Sequence, residues 1–212
     1  VDIIRYSDRG ALLVLRSGSK VGFGDISVLP GWSRENLEEA LSPLNNTPAF
    51  LWALSSAQMH FENIQPKNPQ LPKLGQDKIK VGHMTPKEAA KVARGKRVDV
   101  NRKWTLMQAI EFCALVDDVE FIEEPTDSLE AFVELKKRTK HRLAIDESLR
   151  EHGLEETLKA DPDLLVIKPP MTGSVETILE LAKHFTIALS SSFESPLGHF
   201  NLALLRAKID TA

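Results

Sequence analysis

VEFIEEP, Val119–Pro125, is a short apolar run that ends in a carboxylate, Glu123, two residues before a proline. The same construction repeats on either side of it. KIK ends at Lys80, RVDV carries Asp99, RLAIDE carries Asp146, and LLVIK ends at Lys168. The intervals between these five charged residues are 19, 24, 23 and 22 residues. A strand, a return helix and two loops need roughly 22 residues or more, so every interval but the first suits a βα unit. In a parallel β/α barrel the carboxyl ends of successive strands converge on one mouth, and a charge placed there again and again marks an active site. A doubly wound open sheet is the alternative. It would seat its ligand at a switch point and would not need a charge on each strand.

The segments between the runs carry helix signals. Thr85-Pro86 opens TPKEAAKVAR with a cap and a first-turn proline, and TLMQAIEFCALV, SLEAFVELKKR, LEETLKA, SVETILELAKHF and NLALLRA follow the later strands. Six strand–helix pairs predict parallel strands. The first 60 or so residues have another rhythm. ALLVLRSG and KVGFGDIS read as a hairpin, Ser33 as the cap of a helix over RENLEEALSPL, and Thr47-Pro48 as the start of another. NIQPKNPQLPKLGQ, with three prolines, reads as a connector.

Composition narrows the function classes. The chain has 212 residues, a net charge of -3 and 42% hydrophobic residues, and gives no global electrostatic reason to bind nucleic acid or an anionic membrane. The basic run KKRTKHR (Lys136–Arg142) falls at a helix end, where cations complement exposed carbonyls. The single cysteine, Cys113, excludes an intrachain disulfide, fits a reducing compartment and reads as a packing residue. No run approaches membrane-spanning length, and the first residues lack a secretion pattern, so a cytoplasmic location is expected. No HExxH, CxxC or Walker-type loop occurs, and the sequence carries no signal for oligomeric state.

Side chains two apart on a strand share a face, so Lys78 faces with Lys80, and Arg97 with Asp99 and Asn101. Glu123 reads as the inward acid of FIEEP, with Glu124 opposite, and Asp146 is favoured over Glu147. Three unpaired carboxylates on neighbouring strands would repel one another in a low-dielectric mouth. A hard cation, Mg²⁺ or Mn²⁺, relieves that, and salt bridges to nearby lysines are the bland alternative. Lysines flanking the acids suit proton abstraction next to a carboxylate, with the cation taking up the charge of the enediolate.

Taken together, KIKVG, RVDVNRKW, VEFIEEP, LAIDESLRE, LVIKPPMTGS and SSSFESPLG resemble the enolase superfamily, muconate-lactonizing subgroup, and within it the o-succinylbenzoate synthase family. A lysine base beside a divalent cation is a well-known arrangement of that superfamily, so the pattern is matched here and not newly derived. GFGDISVLPGWS is similar to that family's capping-domain signature. The resemblance implies an α/β fold, a modified (β/α)₇β TIM-type barrel (65–212) with a small N-terminal α+β capping domain (1–64). It implies Asp99, Glu123 and Asp146 as Mg²⁺ ligands, Lys80 and Lys168 as the catalytic lysines, and Lys78, Arg97, Asn101, Ser190, Ser191 and Ser192 at the substrate. The implied partner is a small-molecule carboxylate. The implied reaction is dehydration of 2-succinyl-6-hydroxy-2,4-cyclohexadiene-1-carboxylate to o-succinylbenzoate in menaquinone biosynthesis.

The chain also departs from the family pattern. RYS runs straight into DRGALL where the family has a longer segment, the Lys80–Asp99 interval is short, and RAKIDTA follows without a full final unit. Asp25 and Val28 stand where Glu and Pro are usual. Unseen segments at Ser7–Asp8 and near Arg94–Gly95 are therefore expected. Two other functions stay open: an N-succinylamino acid racemase or dipeptide epimerase on the same site, and a non-catalytic barrel serving as a binding module.

Overall fold

A computed structural model describes residues 1–62, 64 and 78–211. In chain order the elements are β1 Asp2–Arg5, β2 Gly10–Ser17, β3 Lys20–Ser27, α1 Leu37–Leu41, a 3₁₀ turn Pro43–Asn45, α2 Pro48–Met59 and β4 Lys78–Lys80. They continue with α3 Pro86–Ala90, β5 Lys96–Asp99, α4 Leu106–Leu115, β6 Val119–Glu123, α5 Leu129–Lys136 and β7 Leu143–Ile145. The last are α6 Glu147–Lys159, β8 Leu164–Ile167, α7 Pro169–Thr172, α8 Val175–Ala182, β9 Thr186–Leu189 and α9 Pro196–Ile209. The described residues of Val1–Pro72 and Ile167–Ala212 form one compact unit, and those of Lys73–Val166 form the other. The proposed boundary between 64 and 65, and the connector reading of 63–76, fall largely outside the described residues.

Within Lys73–Val166 the strands are parallel. Lys78–Lys80 pair with Arg97–Asp99, Val98 with Ile122, Ile122 with Leu143, and Ala144 with Leu164. There the strand order of the sheet follows the sequence without reversal from β4 to β8. A doubly wound sheet reverses its order at a switch point, so the barrel-type reading holds. Helix starts follow the sequence closely. Thr85 and Thr105 close capping boxes with Glu88 and Gln108, and Ser128 caps α5. α6 is broken at Gly153, whose φ of 78° and ψ of 172° interrupt the helical path. Trp104 is buried against Phe112, with ring centroids 5.0 Å apart, and its indole N–H donates to the Met84 carbonyl at 3.0 Å. That bond satisfies the one polar atom this large side chain buries.

In the other unit β1, β2 and β3 form an antiparallel sheet, and β1 is a strand that the sequence pattern does not mark. Its core is Ala11, Leu13, Ile26, Val28, Leu37, Ala40 and, from α2, Ala49, Phe50, Ala53 and Ala57. α1 is capped by Asn36, with Glu39 completing a capping box, and Ser33 is not the cap. The Ser33 hydroxyl instead accepts from Leu29 N–H at 2.9 Å, closing the turn that precedes the helix. Buried Asn201 of α9 donates to the Phe23 carbonyl and the Ser56 hydroxyl, both at 3.1 Å, and its carbonyl lies 2.8 Å from His60 Nε2. An amide oxygen only accepts, so His60 carries its proton on Nε2.

The two junctions marked as short in the sequence are tight turns. Tyr6 and Ser7 N–H both donate to the Gly10 carbonyl, at 3.1 and 3.2 Å. At Arg94–Gly95, Gly95 takes a φ of 66° and its N–H reaches the Asp118 carbonyl at 2.7 Å.

Gly22 and Gly24 share a face of β3, the face on which α2 lies. An added Cβ would sit 2.0 Å from the Ala57 carbonyl oxygen at Gly22 and 1.9 Å from that of Ala53 at Gly24. The helix backbone cannot yield as a side-chain tip would. Gly24→Ala is therefore expected to lower unfolding free energy by about 2 kcal/mol or more, read from the urea midpoint.

Candidate active site

The register of the sheet puts Lys80 beside Asp99 and Asp99 beside Glu123, with Ala144 next in the row. The first three positions follow from the sequence, because Lys80, Asp99 and Glu123 each end their own strand at the same depth. Asp99 and Glu123 are each only 1% exposed. Two carboxylates side by side in that setting need a cation, and Lys78 supplies one. From two residues back on the same face, its Nζ lies 3.0 Å from Asp99 Oδ2 and 2.6 Å from Glu123 Oε1. Lys80 Nζ is 3.8 Å from Asp99 Oδ2, and its side chain is 68% exposed. Of the two lysines of KIK, the first is the internal counter-ion of the two acids, and the second is open to solvent.

Burial pushes the Glu123 carboxyl up, Lys78 pulls it down, and the charges of Asp99 and Asp146 push it further up, leaving it raised. For Lys78, burial pulls the ammonium down, but Glu123 and Asp99 outweigh it and the group ends raised. Both shifts run the same way, so the cluster keeps its protons to higher pH than separate groups would.

Asp146 follows β7 as the residue before α6, at φ -127° and ψ -83°. Its backbone N–H donates to Glu124 Oε1 at 2.8 Å. Glu124 also accepts from Ser148 N–H and from the Ser148 hydroxyl, each at 2.7 Å. Glu124, the residue after Glu123, thus ties down the DES turn that carries Asp146. The double acid of IEEP and the serine of DES are the visible signals for this clamp, which strand periodicity alone does not reveal. Glu124 has a positive φ of 45°, as do Asn101 at 50° and Arg102 at 59°. Hydrogen bonds hold these strained positions: Arg102 N–H donates to the Glu124 carbonyl at 2.9 Å, and Asn101 N–H donates to Asp99 Oδ1 at 3.0 Å. The Asn101 amide also reaches Glu147 Oε1 at 3.2 Å, and Arg97 Nε lies 3.9 Å from Glu120.

Lys168 and Ser190–Ser192 belong to the other unit. Lys168 precedes α7, and its carbonyl accepts from Met171 N–H at 2.8 Å. Ser190 N–H donates to the Ile167 carbonyl at 2.9 Å, which sets the end of β9. The next two serines turn toward buried Glu194. Ser191 Oγ donates to Glu194 Oε2, while Ser192 gives its N–H to Oε2 at 2.8 Å and its hydroxyl to Oε1 at 3.0 Å. His199 Nε2 lies 2.9 Å from Ser191 Oγ. With the hydroxyl hydrogen given to Glu194, that oxygen accepts, so His199 Nε2 is the protonated nitrogen.

Among the described residues, no three His, Cys, Asp or Glu side chains are gathered closely enough to hold a metal ion as they stand. The donor chemistry nevertheless suits a hard divalent cation. Two buried carboxylates already gather round a positive charge, and the charge of Asp146 is felt at Glu123.

The family model of the enolase C-terminal domain-like family matches residues 77–205, more than half of the chain. The chain belongs to that family. It is 29% identical over 253 residues to the o-succinylbenzoate synthase of Aliivibrio salmonicida (strain LFI1238), covering 93% of this chain and 78% of that protein. To the o-succinylbenzoate synthase of Escherichia coli (strain K12) it is 30% identical over 251 residues, with the same coverages of 93% and 78%. Matches of that length against a chain of 212 residues mean that these relatives carry internal segments this chain lacks. In structure the chain resembles muconate cycloisomerase from Pseudomonas fluorescens, with a TM-score of 0.71 at 15% identity, over 98% of this chain and 81% of that one. At that identity the likeness concerns the fold. The relatives are enzymes, and so is this family member. No helix among the described residues is long and apolar enough to cross a membrane.

Burial pushes the Glu124 carboxyl up to about 7 from an ordinary 4.5. The folded state therefore holds a proton that the unfolded chain releases between those values. This contribution to stability is full below pH 4.5 and is lost as the pH rises through 7, in all about 3 kcal/mol. In chelator-treated buffer the urea midpoint of the wild type is expected to fall from pH 5 to pH 8. Glu124→Gln should remove a large part of that slope, leaving the part due to Glu123.

Proposed function

We propose that this chain is a Mg²⁺-dependent lyase that dehydrates 2-succinyl-6-hydroxy-2,4-cyclohexadiene-1-carboxylate to o-succinylbenzoate, a step of menaquinone biosynthesis. The observation that carries the reading is the row Lys80–Asp99–Glu123: a solvent-open amine beside two buried acids at the ends of adjacent strands. The o-succinylbenzoate synthases matched over 93% of the chain support it. In this reading residues 1–64 are a capping domain and 65–212 the barrel domain.

The reaction needs a proton removed from the carbon bearing the carboxylate and a hydroxyl expelled from the neighbouring ring carbon, which makes the ring aromatic. Lys80, as the free amine, takes the proton and then returns it to the departing hydroxyl, which leaves as water. Lys168, as the ammonium, balances negative charge on the opposite ring face. Asp99, Glu123 and Asp146 would hold the divalent cation, which supplies positive charge to the substrate carboxylate oxygens as the α-proton is lost. Lys78 keeps Asp99 and Glu123 together before the ion binds. Arg97 and Asn101 position the ring. Ser190–Ser192 receive the succinyl carboxylate.

The test is turnover of the cyclohexadiene carboxylate by purified protein, followed by ultraviolet absorbance of the aromatic product, with N-succinyl amino acids run in parallel. Dehydration that stops on chelation and returns with Mg²⁺ is the expected result. Racemisation of N-succinyl amino acids without dehydration would replace this reading, and inertness toward both substrates would leave a binding module. Lys80→Ala is expected to lower kcat by ~10³-fold or more. It should leave the Mg²⁺-dependent rise of the unfolding midpoint intact.

A further inference from the structure

Asp25 is a fully buried carboxylate on β3, in the same unit as the SSSFES segment. Three donors converge on it, two of them from distant parts of the chain. Tyr6 OH reaches Oδ1 at 2.5 Å, while the Ser27 hydroxyl at 2.7 Å and Ser195 N–H at 3.0 Å reach Oδ2. Tyr6 lies at the β1–β2 turn, where its ring fills the space a Cβ on Gly10 would enter: Tyr6 OH would be 2.3 Å away. Ser195 is the cap of α9, its hydroxyl accepting from Gly198 N–H at 3.3 Å. A Cβ on Gly198 would lie 2.5 Å from Asp25 Oδ2, so the glycine admits the carboxylate to the first turn. A buried acid here meets the amide end of a helix, the end that favours negative charge.

The segment between β9 and α9 is thereby held at both ends by buried carboxylates. Glu194 gathers Ser191 and Ser192, and Asp25 gathers Ser195. Burial and the bond to Asp25 push the Tyr6 hydroxyl up to about 12, so it remains a donor across the working pH range. A buried acid with three donors is costly to disturb, because each lost partner leaves an unsatisfied group.

We propose that Asp25 is a positioning residue for substrate binding: with Tyr6 as its latch, it fixes the Ser190–Ser195 segment in the shape that takes the ligand's carboxylate. The assignment rests on the reading of Ser190–Ser192 given under the proposed function. Neither Tyr6 nor Asp25 touches the reacting atoms. Loosening them should weaken ligand capture and leave the chemical step alone.

Tyr6→Phe removes one hydroxyl from a half-exposed ring, and Asp25→Asn removes the acceptor that the others share. KM for the cyclohexadiene carboxylate is expected to rise about 3-fold in Tyr6→Phe and about 10-fold in Asp25→Asn, with kcat within 3-fold of wild type. Amide hydrogen exchange at 190–195 should quicken in both variants, while exchange at 97–124 stays as in wild type. Unchanged KM in folded variants overturns the proposal, whether or not exchange quickens, and so does a fall in kcat without a rise in KM. If Asp25→Asn does not fold, Tyr6→Phe decides alone. A wild-type protein that fails to turn over the substrate removes the functional reading. In that event the exchange experiment judges the latch: quicker exchange at 190–195 upholds it, and unchanged exchange overturns it.

Discussion

The architecture of the candidate site depends on one ammonium between two buried acids. Asp99 and Glu123 end adjacent parallel strands at the same depth, so the fold itself forces them together. Without a cation, their repulsion in a low-dielectric setting would oppose the pairing of the strands that carry them. Lys78 relieves this from inside the sheet, at 3.0 and 2.6 Å. A buried ion cluster of this kind adds little net stability, yet removing one member strands the others. Its value is that the acids are gathered before any ligand arrives.

A second theme is division of labour between neighbouring acids. Glu123 ends β6 and Glu124 follows it in a left-handed conformation, and the two side chains take different partners. One joins Asp99 and Lys78, and the other binds the turn that carries Asp146. The other unit repeats the device, with Glu194 and Asp25 holding the segment before α9. In both places backbone N–H groups and hydroxyls converge on a buried carboxylate, which makes an irregular connection rigid.

Much of this is legible in the sequence, and the physical reason is periodicity. Strand ends recur at regular intervals, so Lys80, Asp99, Glu123, Asp146 and Lys168 can be picked out, as can the caps Thr47 and Thr85 that lie next to prolines. Choices between near neighbours are harder. Asn36 caps α1 because Glu39 lies three residues on, a pairing that Ser33 lacks. Lys78 and Lys80 share a face, and nothing local says which amine turns inward. Asp25 is beyond reach, since Tyr6 is 19 residues away in the chain and Ser195 is 170. Only the tertiary fold brings such partners together.

The account stands or falls on the role of Lys78, and unfolding free energy in divalent-free buffer measures that role directly. Lys78→Met keeps the length and apolar stem of the side chain and removes the charge. A loss of about 3 kcal/mol, recovered in part by millimolar Mg²⁺, is the predicted result. A variant as stable as wild type without Mg²⁺, and indifferent to it, would show that the two acids do not depend on a shared cation.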